Sequence, residues 1–291
     1  MNFTRSNLYP MKNILFLAAS VLILTISCVQ QRDQPAAKGK LFIIGGGERT
    51  DSMMNELVDL AGIRTEGYAY ILPMSSSEPD SSIMWTKEDF DVTGIKNVSG
   101  YNFKAGELPQ PQIDSVRNAK LIYISGGDQA RFMSVVNNTP IMDAILDAYK
   151  SGAVIAGTSA GAAVMSKKMI TGNQKKHPES EAGFTSMESE NVEVTQGLGL
   201  LTTAIIDQHF IKRQRLNRLI SVSIENPGEL CVGIDESTAI IVDGDDATVT
   251  GIHQVVVIRN TAAIKNIKTG LLGSEGLQLS VYLPGQKFKL K

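Results

Sequence analysis

The chain has 291 residues, balances 28 Lys and Arg against 30 Asp and Glu for a net charge of −2, and is 43% hydrophobic. No basic excess marks a nucleic-acid surface. Its three histidines and two cysteines show no His-x-x-x-His or Cys-x-x-Cys spacing, so neither a metal centre nor a cofactor is expected, and the partner is a small molecule or a peptide.

Residues 1–10 are polar, Met11-Lys12-Asn13 follow, and the apolar run 14–26 is too short to span a bilayer but suits a signal-peptide core. It ends in Leu24-Thr25-Ile26-Ser27-Cys28, a small residue before a cysteine as in a lipobox, with Thr25 where a large aliphatic residue is usual. Residues 1–28 are therefore read as a signal peptide, 29–38 as a polar tether and 39–291 as one folded domain. The expected location is outside the cytoplasm, as a cell-envelope lipoprotein carried by lipid on Cys28 or in the periplasm, with no other membrane contact. Cys231 then lacks a disulfide partner, and in Leu230-Cys231-Val232-Gly233-Ile234 it reads as a buried, inert thiol.

The domain alternates short apolar runs with helix-length amphipathic segments, the pattern of βα units around a mostly parallel sheet. Strands are expected at 40–44, 68–72, 121–124 and 154–156. Each ends in turn chemistry: Gly45-Gly46-Gly47, Pro73-Met74-Ser75-Ser76-Ser77, Gly126-Gly127-Asp128 and Thr158-Ser159. Ligands of open α/β sheets sit beyond the carboxyl ends of the strands, so these turns should converge on one crevice. Residues 171–197 are polar without a period and read as a long irregular loop or short hairpin. A helix is expected over 211–225, then strands at 238–242, 248–251 and 255–258, with one or two more in 277–283.

Gly157-Thr158-Ser159-Ala160-Gly161 places a serine between a buried strand and an Ala-rich helix start. In such a G-x-S-x-G elbow the serine occupies a strained turn, and its neighbours must be small because strand and helix pack closely. The Ala160 amide is a candidate oxyanion donor, as is that of Gly127 in Gly126-Gly127-Asp128-Gln129, a turn equally readable as one capped by Asp128. His177 lies in the polar segment and His253 in an expected hairpin. His209 instead follows the apolar Ile205-Ile206 in Asp207-Gln208-His209-Phe210, and a strand-end histidine in that company is the candidate base. Arg213, Arg215 and Arg218 are either a solvated face or bidentate donors for a peptide carboxylate.

Ile43-Ile44-Gly45-Gly46-Gly47-Glu48, Ser125-Gly126-Gly127-Asp128-Gln129, Gly157-Thr158-Ser159-Ala160-Gly161, Asp207-Gln208-His209-Phe210 and Gly233-Ile234-Asp235-Glu236-Ser237-Thr238-Ala239 occur in that order. Together they resemble the cyanophycinases and their dipeptidase E relatives over nearly all of the chain after the tether. The resemblance implies an α/β fold like that of class I glutamine amidotransferases (flavodoxin-like): a mostly parallel sheet flanked by helices, with extra β-hairpins towards the C-terminus. It further implies a serine exopeptidase for aspartyl peptides, notably the β-linked Asp-Arg polymer cyanophycin. Ser159 and His209 match its nucleophile and base, while Gln129, Asp207, Gln208, Arg213, Arg215 and Arg218 match substrate-pocket positions. Lys212 and Asn217 stand where glutamine and glycine are more familiar, which loosens the tie to cyanophycin itself.

The third triad member is expected from the polar segment, among Glu179, Glu181, Glu188, Glu190 and Glu193. Glu188 is favoured because it leads back towards Gly197-Leu198-Gly199-Leu200 and the base strand. Two readings compete with the peptidase. One is an α/β-hydrolase esterase, which shares the elbow but interposes more βα units before its histidine. The other is a non-catalytic lipoprotein that binds acidic peptides. Association into a homodimer is left open.

Overall fold

The computed structural model describes residues 39–180 and 182–291; the signal peptide, the tether, Cys28 and Glu181 lie outside the described residues. The first half is a series of βα units: β1 (Lys40–Ile44), α1 (Asp51–Ala61), β2 (Ala69–Leu72), α2 (Pro79–Asp91), β3 (Val98–Gly100), α3 (Gln110–Arg117), β4 (Leu121–Ile124), α4 (Gln129–Val136), α5 (Pro140–Lys150) and β5 (Val154–Thr158). These strands lie in the order β1-β5-β4-β2-β3, every neighbouring pair parallel. Strand side chains alternate between faces, and both faces are buried. Leu41, Ile43, Ile122, Ile124 and Ile155 therefore enter one core layer, and Phe42, Ile44, Leu121, Tyr123, Val154 and Ala156 the other.

Helix starts follow local capping chemistry. Thr50 accepts a hydrogen bond from the Met53 amide of α1, Asp128 from the Ala130 and Arg131 amides of α4, and Thr139 from the Ile141 amide of α5, beside Pro140. A left-handed Gly62 (φ 68°) ends α1.

After the short α6 (Ala160–Ala163), the polar segment is a wide hairpin whose strands β6 (Lys168–Gln174) and β7 (Val192–Gln196) pair antiparallel. Next, β8 (Ala204–Asp207), α7 (Leu216–Glu225) and β9 (Leu230–Ile234) form a crossover unit with parallel strands. The C-terminal strands are β10 (Thr238–Asp243), β11 (Asp246–Gly251), β12 (Val255–Arg259), β13 (Asn266–Lys268), β14 (Leu271–Gly273), β15 (Gln278–Tyr282) and β16 (Lys287–Lys289). β10, β11 and β16 extend the main sheet antiparallel beyond β1, giving eight strands, while β15-β12-β9-β8 form a separate sheet of four. Leu219 and Val222 of α7 pack on this second sheet against Ile205, Cys231, Val256 and Ile258. Burial pushes the Cys231 thiol up to about 12, which keeps it protonated.

The helix expected over 211–225 begins only at Leu216. Gln214 is left-handed (φ 51°), and the Ile211 and Lys212 amides are taken by the Asp235 carboxylate at 3.1 and 2.9 Å. Those two interactions hold residues 211–215 as a turn, so the periodicity overstates the helix by five positions.

Candidate active site

Strand β5 runs directly into Ser159, whose backbone sits at φ 55°, ψ −109°. Such a conformation costs a residue bearing a Cβ about 1–3 kcal/mol and persists only where the surroundings impose it. Here the Ser159 amide donates to the Ile44 carbonyl (3.0 Å), and its carbonyl accepts from the Ala162 and Ala163 amides at 3.0 and 3.1 Å. A Cβ at Gly157 would overlap the Gly161 carbonyl, and one at Gly161 would overlap the Ile124 carbonyl, so both flanking glycines are required by volume.

The expected convergence of turns is present. Gly46, Gly47, Ser76, Gly126, Thr158 and Ser159 border one cavity of about 300 Å³, together with His209. A Cβ at Gly126 would sit 3.5 Å from that of Ser159. Gly127 (φ 135°) is pressed against Ser75, whose carbonyl accepts the Asp128 amide at 2.8 Å. The Gly126-Gly127 turn and the Ala160 start of α6 thus both flank the serine.

His209 follows β8 in a left-handed conformation (φ 47°), its amide donating to the Gly45 carbonyl at 2.7 Å. The imidazole lies against Gly46, where any Cβ would strike the ring. Its Nε2 is 2.8 Å from Ser159 Oγ and its Nδ1 2.7 Å from Glu236 Oε1. An ionised carboxylate only accepts, so Nδ1 carries the proton and Nε2 accepts from the serine hydroxyl.

Burial holds the His209 pKa below its ordinary 6.5; the Glu236 hydrogen bond opposes this, and Arg213 and Arg215 reinforce it. A histidine whose folded-state pKa is depressed resists protonation, so its contribution to stability is lost as pH falls below the unfolded value. In an NMR titration His209 is expected to titrate below 6.5. Arg213→Gln should move that midpoint up, and Glu236→Gln should move it down. Movement in the opposite directions would show that these neighbours do not set its charge.

Glu236 reaches His209 through the parallel pairing of β8 and β9, which sets Asp207 opposite Gly233 and leads the chain after β9 past the base. Asp235 pins the turn after His209, and the Ser237 amide donates to the Gly46 carbonyl at 2.8 Å. The expectation that Glu188 stands behind His209 is corrected. The Glu188 carboxylate faces His177 Nε2 at 3.0 and 3.1 Å and accepts from Ser186 Oγ at 2.6 Å. Glu193 accepts from Thr171 and Asn173, and the Glu190 amide donates to Glu225. The wide β6–β7 hairpin turns these acids away from His209. The missed signal was an acid just after a buried strand, in the segment Gly233-Ile234-Asp235-Glu236.

The arginines border a separate cavity of about 300 Å³ with Phe184 and Gly172. Asp207 is wholly buried beneath them. Arg218 forks onto it, Nε lying 2.7 Å from Oδ2 and Nη2 bonding Oδ1, and Arg215 stands at 3.8 Å. Gln208 donates its amide to Asp207 and accepts from Arg215 Nη1 through both its carbonyl and its Oε1. Burial, reinforced by Arg218, pushes the Arg215 pKa down to about 10. Gln129 Nε2 donates to the Ile170 and Thr171 carbonyls at 2.9 and 2.5 Å. Asp207, Gln208, Gln129 and Arg218 are buried and hydrogen-bonded within the fold, while Arg213 is exposed and the Arg215 side chain is 17% exposed.

The chain is similar to known peptidases. The chain is 32% identical over 226 residues to the cyanophycinase of Nostoc sp. (strain PCC 7120 / SAG 25.82 / UTEX 2576), covering 75% of this chain and 72% of that one. It is 31% identical over 263 residues to the cyanophycinase of Geminocystis herdmanii (strain PCC 6308), covering 81% and 92%. A solved peptidase from an acI-B1 Actinobacterium shares the fold, with a TM-score of 0.64 over 87% of this chain and 98% of that chain at 22% identity. That likeness accords with the flavodoxin-like architecture expected from the motifs. The sequence model of peptidase family S51 matches residues 41–250. Because that match runs from β1 into β11 and takes in both Ser159 and His209, the chain belongs to peptidase family S51 and is a peptidase.

Proposed function

We propose that the chain is a serine exopeptidase for aspartyl peptides, β-linked and cyanophycin-like ones included, with Ser159 as nucleophile, His209 as general base and Glu236 as the acid that orients it. The observation that carries this reading is the His209 ring held between Ser159 Oγ at 2.8 Å and Glu236 Oε1 at 2.7 Å. Oγ attacks the scissile carbonyl carbon as its proton passes to Nε2, and Glu236 offsets the charge that develops on the ring. The carbonyl oxygen becomes an oxyanion, received by the Ala160 and Gly127 amides. Collapse breaks the C–N bond, Nε2 gives its proton to the departing amine, and the acyl group stays on Ser159 until water, activated by the same base, releases it.

Arg213 and Arg215 supply positive charge for an acidic substrate group, and Gln208 and Asp207 hold Arg215 in place. Asn217, one of the two departures from the family pattern, donates to the Phe184 carbonyl at 2.9 Å and so shapes that pocket's wall. This supports a preference that differs from strict cyanophycin hydrolysis. Turnover of cyanophycin, β-Asp-Arg, β-Asp-Leu and α-Asp-Leu by the purified protein tests the substrate class. On the best of these, Glu236→Gln is expected to lower kcat by about 10⁴-fold, the scale at which an orienting acid matters. Glu188→Gln should turn over like the parent; the reverse pattern would return the acid's role to Glu188.

The mature protein is also proposed to be exported and anchored by lipid on Cys28, on the strength of the apolar run, the Ser27-Cys28 junction and the polar tether together. It should partition into detergent, and Cys28→Ala should free it with activity intact. A mature N-terminus upstream or downstream of Cys28 in the mass spectrum would count against the anchor.

A further inference from the structure

Among the described residues, the buried hydroxyls Tyr123 Oη, Thr158 Oγ1 and Ser223 Oγ have no hydrogen-bond partner, and the first two lie close together. Buried polar atoms are almost always paired, so two unpaired ones beside the same cavity are notable. Tyr123 and Thr158 are 1% and 7% exposed. They stand on the adjacent parallel strands β4 and β5, and both line the cavity beside Ser159.

Arg49 also lines that cavity, with Ser76, Ser82, Thr86 and Ser125. Its Nε and Nη2 donate to Asp89, which lies behind it and outside the lining, and its Nη1 donates to the Gly47 carbonyl at 3.0 Å. Among the described residues, no carboxylate lines the cavity. Burial pushes the Tyr123 phenol up to about 12, so it stays a donor at any working pH. The cavity therefore offers a guanidinium, two unpaired hydroxyls and further serine and threonine hydroxyls to whatever enters, a set that suits a negatively charged group accepting hydrogen bonds.

We propose that this cavity is a subsite for a free carboxylate on the leaving residue of the peptide, received by Tyr123, Thr158 and Arg49. The assignment to the leaving side rests on the hydrolytic reading above, in which His209 hands its proton to the departing amine. His209 borders this cavity and not the one formed by the arginines. Trp85, 53% exposed at the rim, leaves room for the side chain of that residue. A terminal carboxylate held this close to the scissile bond restricts cleavage to the end of a chain.

The test is calorimetric binding to the Ser159→Ala protein of β-Asp-Leu as the free acid and as its C-terminal carboxamide. The free acid should bind about tenfold or more tightly, the scale of one hydrogen bond to a charged group. Tyr123→Phe and Thr158→Val, each removing one hydroxyl at nearly constant shape and each checked by thermal melt, should bring that ratio towards one. Equal affinity for acid and amide, or no binding of either, overturns the subsite. A Ser159→Ala protein that still releases product at the parent's rate overturns the hydrolytic reading instead.

Discussion

Ser159→Ala is expected to lower peptide turnover by about 10⁴–10⁶-fold, the range seen when a nucleophile is removed from a catalytic unit. Its melting temperature should stay near the parent's. Alanine fits the elbow, where the Ile44 carbonyl and the Ala162 and Ala163 amides engage only the backbone of residue 159. His209→Ala should fail almost as badly, and the double variant should be hardly worse than either single one, because groups that act together lose their effect together. Purified variants, matched melts and a peptide-release assay decide the matter. Parent-like turnover by a well-folded Ser159→Ala protein would end the serine mechanism and revive a reading in which another group carries the chemistry. Tight binding by the parent without turnover would favour a peptide-binding role.

The second large effect is on stability. Arg218→Leu is expected to cost about 3–5 kcal/mol, because it leaves an ionised Asp207 buried without its partner. Arg218 is 5% exposed and Asp207 1%, and the two form a fork within the fold rather than a surface pair. Arg218→Lys keeps the charge but cannot reproduce the fork, so it should recover only part of the loss. Replacing both members, as Asp207→Asn with Arg218→Met, should be less damaging than Arg218→Leu alone, since no uncompensated charge remains. Urea unfolding of the single and double variants measures this. An Arg218→Leu protein as stable as the parent would show that Arg215, 3.8 Å from Asp207, is partner enough.

These two results bear on different kinds of information in the chain. Features set by neighbouring residues could be read directly from sequence. The alternating apolar strands, the Asp128 cap, and the glycines that let strand and helix close around Ser159 all act within a few positions of themselves. The strand-end position of His209 was legible for the same reason. The turns after β1, β2, β4 and β5 had to meet, because parallel strands bring their carboxyl ends to one edge.

Which carboxylate stands behind the base was not legible. Glu236 is 27 positions from His209 and reaches it only because α7 carries the chain back to lay β9 parallel to β8. Glu188 is nearer in sequence, yet the β6–β7 hairpin spends it on His177. The roles within the arginine cluster were decided in the same way. Spacing shows three arginines after His209, but only packing buries Arg218 on Asp207 and leaves Arg213 in solvent. Local stereochemistry and hydrophobic period determined the strands, the elbow and the strand-end place of His209. The acid, the Arg218 fork on Asp207 and the second sheet depended on contacts between distant segments, whose energies exist only once the whole chain has closed.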